Sequence, residues 1–413
     1  MVAVDRRLPL VCLDWVLAAG SQHDPPARAG RATLTASLLD EGTRRYTGPE
    51  LSERIEGLGG ALGCSTDWDA SYASCSVLAE HLEPAVEMLQ QVVRHPTFPE
   101  DEVARCREQQ VARLRQRRDV PSRLAADQVA AALYPGTPYG VPVAGLVDTV
   151  SSLTRSDLAA YWSDQLMPSE STVVAVGDLD ARRLAELLQA DPPGLDGEPA
   201  APPPPVDLPA REGTRIWIVD RPQGSQTELR VAHPGPPRGH PDWPTLKLLS
   251  LLLGGTFTSR LMRSLREERG LTYGVSAGFQ ARKGPGPFSV ATALSTDGVG
   301  VAVGQILEEM EKLRQEPPPD EELRDTCDFL VGVVPQRFET VEDIASQLAA
   351  LAVFDLGFDY FERFESLHRA VTPDQVLDAA RRHLHPDSCA VVAVGPAADL
   401  RPQLERFGPV EVL

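Results

Sequence analysis

The chain repeats itself, and this constrains its fold more than any other feature. Leu153-Thr154 opens a helical stretch that leads through Pro168 to Val173-Val174-Ala175-Val176-Gly177. The same order recurs 218 positions later, with Val371-Thr372, Pro386 and Val391-Val392-Ala393-Val394-Gly395. Earlier in each half, Leu51, Ile55 and Gly60 match Leu261, Leu265 and Gly270 at an offset of 210. Two blocks in the same order point to an internal duplication of about 200 residues. Between the halves, residues 191–213 are rich in Pro, Gly and acid, with Pro202 to Pro205 consecutive, and read as a semi-rigid linker. The expected organisation is an N-terminal domain over 1–190, the linker over 191–213, and a C-terminal domain over 214–413.

Hydrophobic periodicity fills in each half. The first half predicts strands over 10–19, 61–66, 70–78 and 171–177, with helices over 31–40, 49–58, 82–94, 100–117, 121–133 and 154–166. The second predicts strands over 215–219, 226–233, 272–281, 287–293 and 389–394. Its helices fall at 242–253, 258–269, 297–314, 319–334, 340–353, 358–367 and 373–384. Hairpin-like strand pairs beside runs of helices favour an α+β fold, each domain a mostly antiparallel sheet covered by helices.

The net charge of −19 and pI of about 4.9 argue against nucleic-acid or anionic-membrane partners, both of which need a basic face. No run approaches the length of a membrane-spanning helix. Arg6 and Arg7 precede an apolar run from Leu8 to Gly20 that loosely mimics a secretion signal. Asp14 interrupts it, and Val11, Leu13, Trp15 and Leu17 alternate, so a strand in a cytoplasmic protein is expected, with a periplasmic one as second choice. The six cysteines, at 12, 64, 75, 106, 327 and 389, show no C-x-x-C or zinc-finger spacing and read as reduced, buried thiols. Phosphate-binding glycine motifs, a G-x-S-x-G elbow and both H-E-x-x-H and H-x-x-E-H are absent. The eight histidines show no metal-binding spacing, and His383 and His385 face different ways on a predicted helix.

One stretch holds candidate chemistry. From Gly254 to Phe279 the chain reads as a glycine turn, a charged helix and a strand. Thr256, Thr258 or Ser259 can cap the helix start. Phe257, Leu261, Met262 and Leu265 form its apolar stripe, and Gly270 supplies a left-handed stop. Tyr273, Val275, Ala277 and Phe279 alternate as one strand face. Arg266 and Tyr273 flank the reversal, which can bring a guanidinium and a phenol together. The plain alternative is a surface helix docked on a sheet.

The duplicated halves, the linker, Leu253-Gly254-Gly255 leading to Ser259-Arg260-Leu261, Leu265-Arg266-Glu267-Glu268 through Gly270-Leu271-Thr272-Tyr273, and Phe338-Glu339-Thr340 together resemble the pitrilysin-like (inverzincin) metallopeptidases. These include the mitochondrial processing peptidases and small bacterial relatives. The resemblance covers nearly the whole chain and implies a pair of α+β domains that close like a clamshell on an extended peptide. It also exposes a departure. The family's zinc helix precedes an E-G-T segment, here Glu41-Gly42-Thr43, so the H-x-x-E-H positions hold Thr33, Leu34, Thr35, Ala36 and Ser37. Thr33 and Ser37 replace the histidine ligands and Ala36 the glutamate base. The third ligand, a glutamate, is expected near 109–116, where no carboxylate occurs, and a shifted alignment would reach only Glu108. What survives is the family's Arg/Tyr pair, Arg266 and Tyr273.

The resemblance therefore implies the non-zinc subunit of a bacterial heterodimeric peptidase, inactive alone, with no metal of its own. Zinc is expected in a homologous partner carrying H-x-x-E-H, to whose site Arg266 and Tyr273 would contribute in trans on a peptide substrate. The glycine loop is short, only Gly254-Gly255, which points away from presequence reading and towards a small bacterial relative. A catalytically inactive scaffold or peptide-binding subunit is the alternative, and nothing supports a metal-independent activity.

Overall fold

The computed structural model describes residues 1–167, 170–190, 201–206, 208, 212–224 and 226–413. Pro168 and much of the 191–213 linker lie outside the described residues. The chain divides into two units. The first comprises Met1–Arg115, Thr137–Pro205 and Val334–Gly357, and the second Gln116–Gly136, Val206–Val333 and Phe358–Leu413.

In the first unit the strands are β1 (Val2–Val4), β2 (Leu10–Leu17), β3 (Ala61–Thr66), β4 (Ser71–Leu78) and β5 (Ser171–Gly177). They lie in the order β1-β5-β2-β4-β3, antiparallel except for the β1–β5 pair. The second unit has β6 (Arg215–Asp220), β7 (Thr227–Pro234), β8 (Thr272–Phe279), β9 (Pro287–Leu294), β10 (Ala390–Gly395) and β11 (Val410–Val412). Their order is β11-β6-β10-β7-β9-β8, parallel only at β10–β6 and β11–β6. Taken from β6 onwards, this order repeats β1-β5-β2-β4-β3 strand for strand, so the duplication read from the sequence is also a duplication of topology.

Matching details carry the repeat. Thr154 and Thr372, 218 positions apart, each begin a helix as a capping box, accepting from the amides of Asp157 and Gln375 respectively. At the other matched glycines the agreement is offset by one. Gly270 takes the left-handed conformation at φ +61°, while in the first half Gly59, not Gly60, does so at φ +67°.

Strand β2 is buried on both faces. Val11, Leu13, Trp15 and Leu17 join a core with the Leu82–Arg94 helix, and Cys12 and Val16 meet Val174 and Val176 under the Val341–Phe354 helix. The segment that loosely mimics a secretion signal is thus the centre of a sheet. The covering helices are exchanged between sequence halves. Val341–Phe354, from the second half, covers β2 and β5, whereas Pro121–Leu133, from the first, covers β7 and β10.

Several elements differ from expectation. The 31–40 helix ends at Ala36, and Leu38 and Leu39 close 3-10-type turns onto Thr35 and Ala36. The 154–166 helix is α-helical over Arg155–Tyr161 and continues with π-type turns over Trp162–Leu166. Short or terminal elements were missed: β1, β11, and the helices Val147–Ser151, Ala181–Ala190 and Ala397–Leu404. Their apolar patterns are too brief to show a period. None of the six cysteines forms a disulfide, and all but Cys64 are buried. No helix among the described residues is long and apolar enough to cross a membrane.

Candidate functional site

The Arg/Tyr stretch is built on two irregular helices. The Trp243–Ser250 helix widens into π-type turns over Leu251–Gly255 and breaks at Gly254 (φ −160°, ψ 17°). A Cβ on Gly254 would stand 2.8 Å from the Ala277 Cβ and 3.0 Å from its amide nitrogen, so only glycine lets this turn lie against β8. The chain then turns through Thr256–Ser259 and re-enters a helix whose Met262–Glu268 part again has π-type turns. Such turns insert a residue and recur at functional sites. None of the three proposed caps holds a helix amide by its side chain; the Ser259 hydroxyl donates to the Thr256 carbonyl at 2.7 Å. At the other end Gly270 donates to Arg266 and Leu271 to Leu265, closing the helix as expected.

Two sequence expectations fail here for one reason each. Phe257 is not part of the buried stripe. Leu261, Met262 and Leu265 are buried, but Phe257 sits in the loop with 75% exposure. Tyr273 does not share a face with Val275. Thr272 pairs with Leu294 and Val275 with Thr292, so β8 carries one more residue than β9 in this interval. That bulge turns Tyr273 outward to 92% exposure while Val275 stays buried. A polar knot holds it: the Gly274 amide donates to the Thr272 hydroxyl at 3.1 Å, and the Thr292 hydroxyl lies 2.9 Å from both that oxygen and the Gly274 carbonyl.

The result is a stack. The Arg266 guanidinium carbon lies 5.4 Å from the centroid of the Phe257 ring and 5.4 Å from that of Tyr273. Cation–π attraction favours this placement. The Arg266 guanidinium forms no ion pair or hydrogen bond with the described residues, and the Tyr273 hydroxyl has no hydrogen-bond partner among them. The planar donors of the guanidinium and the phenol O–H are therefore available to a ligand. Sequence reasoning paired Arg266 with Tyr273 but missed Phe257. The available signal was its position in the loop after Gly254-Gly255, before any helical residue that could bury it. A neighbouring cleft of about 680 Å³ on the same unit is lined by charges such as Arg260, Glu309, Lys312 and Glu322, but by neither Arg266 nor Tyr273. Its charges pair with one another: Arg260 binds Glu322 at 2.7 Å and Lys312 binds Glu309 at 2.9 Å.

The positions that the resemblance assigns to the zinc motif, Thr33, Ala36 and Ser37, lie in the first unit, on the short Arg31–Ala36 helix and its end. The helix start is fixed by Asp24, whose carboxylate accepts from the Ala32 amide at 3.0 Å and from Arg31 Nε at 3.2 Å. Thr33 turns its hydroxyl to the Val143 carbonyl at 2.6 Å, and Ser37 donates to the Leu34 carbonyl at 3.0 Å. Ala36 is buried and offers no base. The buried Thr35 hydroxyl has no hydrogen-bond partner among the described residues. Along the Glu100–Arg117 helix, Gln110 is tied to the Ala144 carbonyl at 2.7 Å, and Glu108 is exposed. Glu41, Glu102 and Cys106 offer ligand atoms within 4.8 Å of one another, but Arg105 binds both carboxylates, at 2.6 Å and 2.5 Å. Its guanidinium already occupies the carboxylates that a cation would need. Hydroxyls and a methyl group at 33, 36 and 37 cannot form the nitrogen and carboxylate shell of a catalytic zinc.

Comparison with known proteins bears on the family. Residues 11–146 match the family model described as insulinase, peptidase family M16, and residues 152–329 match that of the peptidase M16 inactive domain. An uncharacterised zinc protease of Mycobacterium tuberculosis is 26% identical over 401 residues, covering 94% of this chain and 88% of that protein. The crystal structure of a peptidase M16 inactive domain from Pseudomonas fluorescens is 30% identical, with a TM-score of 0.87 over 96% of this chain and 95% of that one. A protease from Helicobacter pylori shares the fold at 18% identity, with a TM-score of 0.87 over 96% of this chain and 97% of that one.

Proposed function

Because the chain belongs to the M16 peptidase family, we propose that it is the non-zinc subunit of a two-chain metallopeptidase and lends Arg266 and Tyr273 to a zinc site on a homologous partner. In this reading the partner carries H-x-x-E-H and supplies the metal and the activated water. Tyr273 donates a hydrogen bond to the scissile carbonyl oxygen as it gains negative charge, and Arg266 orients the phenol or holds the peptide backbone. The observation that carries the proposal is the Phe257–Arg266–Tyr273 stack, which presents unpaired donors at the surface of a chain whose own zinc positions hold Thr33, Ala36 and Ser37.

The test is reconstitution. The chain alone should not cleave peptides, and mixing with a zinc-bearing M16 chain should create cleavage. In the pair, Tyr273→Phe should lower kcat by about one to three decades, the range for losing one oxyanion donor. Unchanged turnover would remove Tyr273 from the mechanism. The second reading, a scaffold or peptide-binding subunit, draws on the same stack, since a guanidinium between two rings is also a packing arrangement. It predicts that an Arg266→Ala/Tyr273→Phe double variant leaves cleavage by the pair unchanged.

A further inference from the structure

His240, Asp242 and His383 meet in the second unit, where the turn before the Trp243–Ser250 helix packs on the end of the Pro373–His383 helix. His383 Nε2 lies 2.7 Å from Asp242 Oδ2, and His240 Nδ1 lies 3.8 Å from the same oxygen. The two imidazoles meet edge to face, with centroids 4.9 Å apart. One ligand atom from each residue falls within 4.8 Å of the others. All three side chains are half-buried, so the cluster is held by the fold yet open to solvent. No short-range spacing flags it, because 141 positions separate Asp242 from His383.

We propose that His240, Asp242 and His383 bind one divalent transition metal of the zinc type, through two imidazoles and a carboxylate, with the remaining position left to water. A tetrahedral ion with bonds of ~2.1 Å separates its ligand atoms by about 3.4 Å, so side-chain rotations on the order of 1 Å complete the site. Two nitrogen ligands select zinc, cobalt, nickel or copper over magnesium and calcium, which prefer oxygen. The Asp242 amide donates to His240 Nδ1 at 3.1 Å, so that nitrogen carries a lone pair rather than a proton. Metal would displace this amide.

Arg382 sets the opposing term. Its guanidinium also donates to Asp242 Oδ2. A carboxylate has two oxygens and can keep that donor while binding a cation, but the arginine charge weakens binding. The site is therefore tuned towards moderate affinity. Its consequence is mechanical: a bound ion ties the end of one helix to the start of another, the Trp243–Ser250 helix that leads to the break at Gly254.

The full chain, without any partner and stripped by chelator, is titrated with zinc by calorimetry and with cobalt by visible absorption. We expect one equivalent to bind, with the intense cobalt bands of a four-coordinate site. His240→Ala should weaken binding at least about tenfold, His383→Gln should do the same, and Arg382→Ala should tighten it. His240→Ala is the cleaner variant, because that ring accepts one amide hydrogen bond and meets His383 edge to face but makes no charged pair within 3.5 Å, and its folding is checked by circular dichroism. No saturable binding by the wild type, or binding unchanged in both histidine variants, would overturn the proposal. Peptide cleavage is not read, so this outcome is independent of whether the two-chain reading holds.

Discussion

Asp24 shows how much a single buried group can contribute to the candidate site. It is 3% exposed and anchors the start of the Arg31–Ala36 helix. Burial pushes its carboxyl up to about 6, against the Ala32 amide and the Arg31 guanidinium, which favour the ionised form. Unfolded, the group ionises near 3.8, so between these values the folded chain holds the extra proton. Its contribution to stability is therefore greatest below the unfolded value and is lost as the pH rises through about 6. Asp24→Asn removes the titration. The stability of wild type relative to Asp24→Asn should fall by up to about 3 kcal/mol between pH 4 and pH 7, as read from urea unfolding at each pH. A pH-independent difference would mean that Arg31 keeps Asp24 ionised throughout. That Thr33, Ala36 and Ser37 carry hydroxyls and a methyl group is legible from the sequence alone. Asp24 was not, because only the fold shows that its carboxylate is enclosed.

At the scale of the element, the bulge in β8 decides where Tyr273 points. Thr292 is buried, and its hydroxyl lies within reach of the Gly274 carbonyl and the Thr272 hydroxyl. Thr292→Val keeps the shape and removes the donor. It should destabilise the chain by about 1–3 kcal/mol, the range for a buried polar group left unsatisfied. In the reconstituted pair it should also lower turnover while Tyr273 itself is intact. Loss of stability without loss of turnover would separate the knot from the aim of the phenol. Long periodic elements such as Leu82–Arg94 and Glu100–Arg117 were readable to the residue, because 13 and 18 side chains respectively vote on one period. The bulge was not readable. A single inserted residue breaks the alternation of Tyr273 and Val275 without altering composition, and its cause is a hydroxyl on a strand 20 positions away. The π-type turns around Phe257 were hidden for the same reason: helical periodicity cannot register one extra residue per turn.

For the molecule as a whole, the repeat in the sequence marks the topology, but the units are not cut where the repeat is cut. Cys12, Val16, Val174 and Val176 depend on Val341, Ala345, Ala349 and Val353 from the other half of the chain. Reciprocally, the Pro121–Leu133 helix, with Ala125, Val129 and Leu133 buried, packs on β7 and β10. Alternation of Val11, Leu13, Trp15 and Leu17 marks one apolar face of β2, but no local pattern says that a distant helix covers Cys12 and Val16 on the other. Removing that helix would bare apolar surface worth on the order of 5–10 kcal/mol at ~25 cal/mol per Å², as large as the net stability of a typical domain. A fragment spanning residues 1–205 should therefore not fold cooperatively, although it contains all five strands of the first sheet. Mixing it with a 206–413 fragment should restore a sharp urea transition and the near-ultraviolet dichroism of packed aromatic residues. Extending the first fragment by a flexible tether carrying 334–357 should rescue it without the rest of the second half. A cooperative transition for 1–205 alone would show that the exchanged helix is dispensable, and that the β2–β5 face can be closed by the first half of the chain.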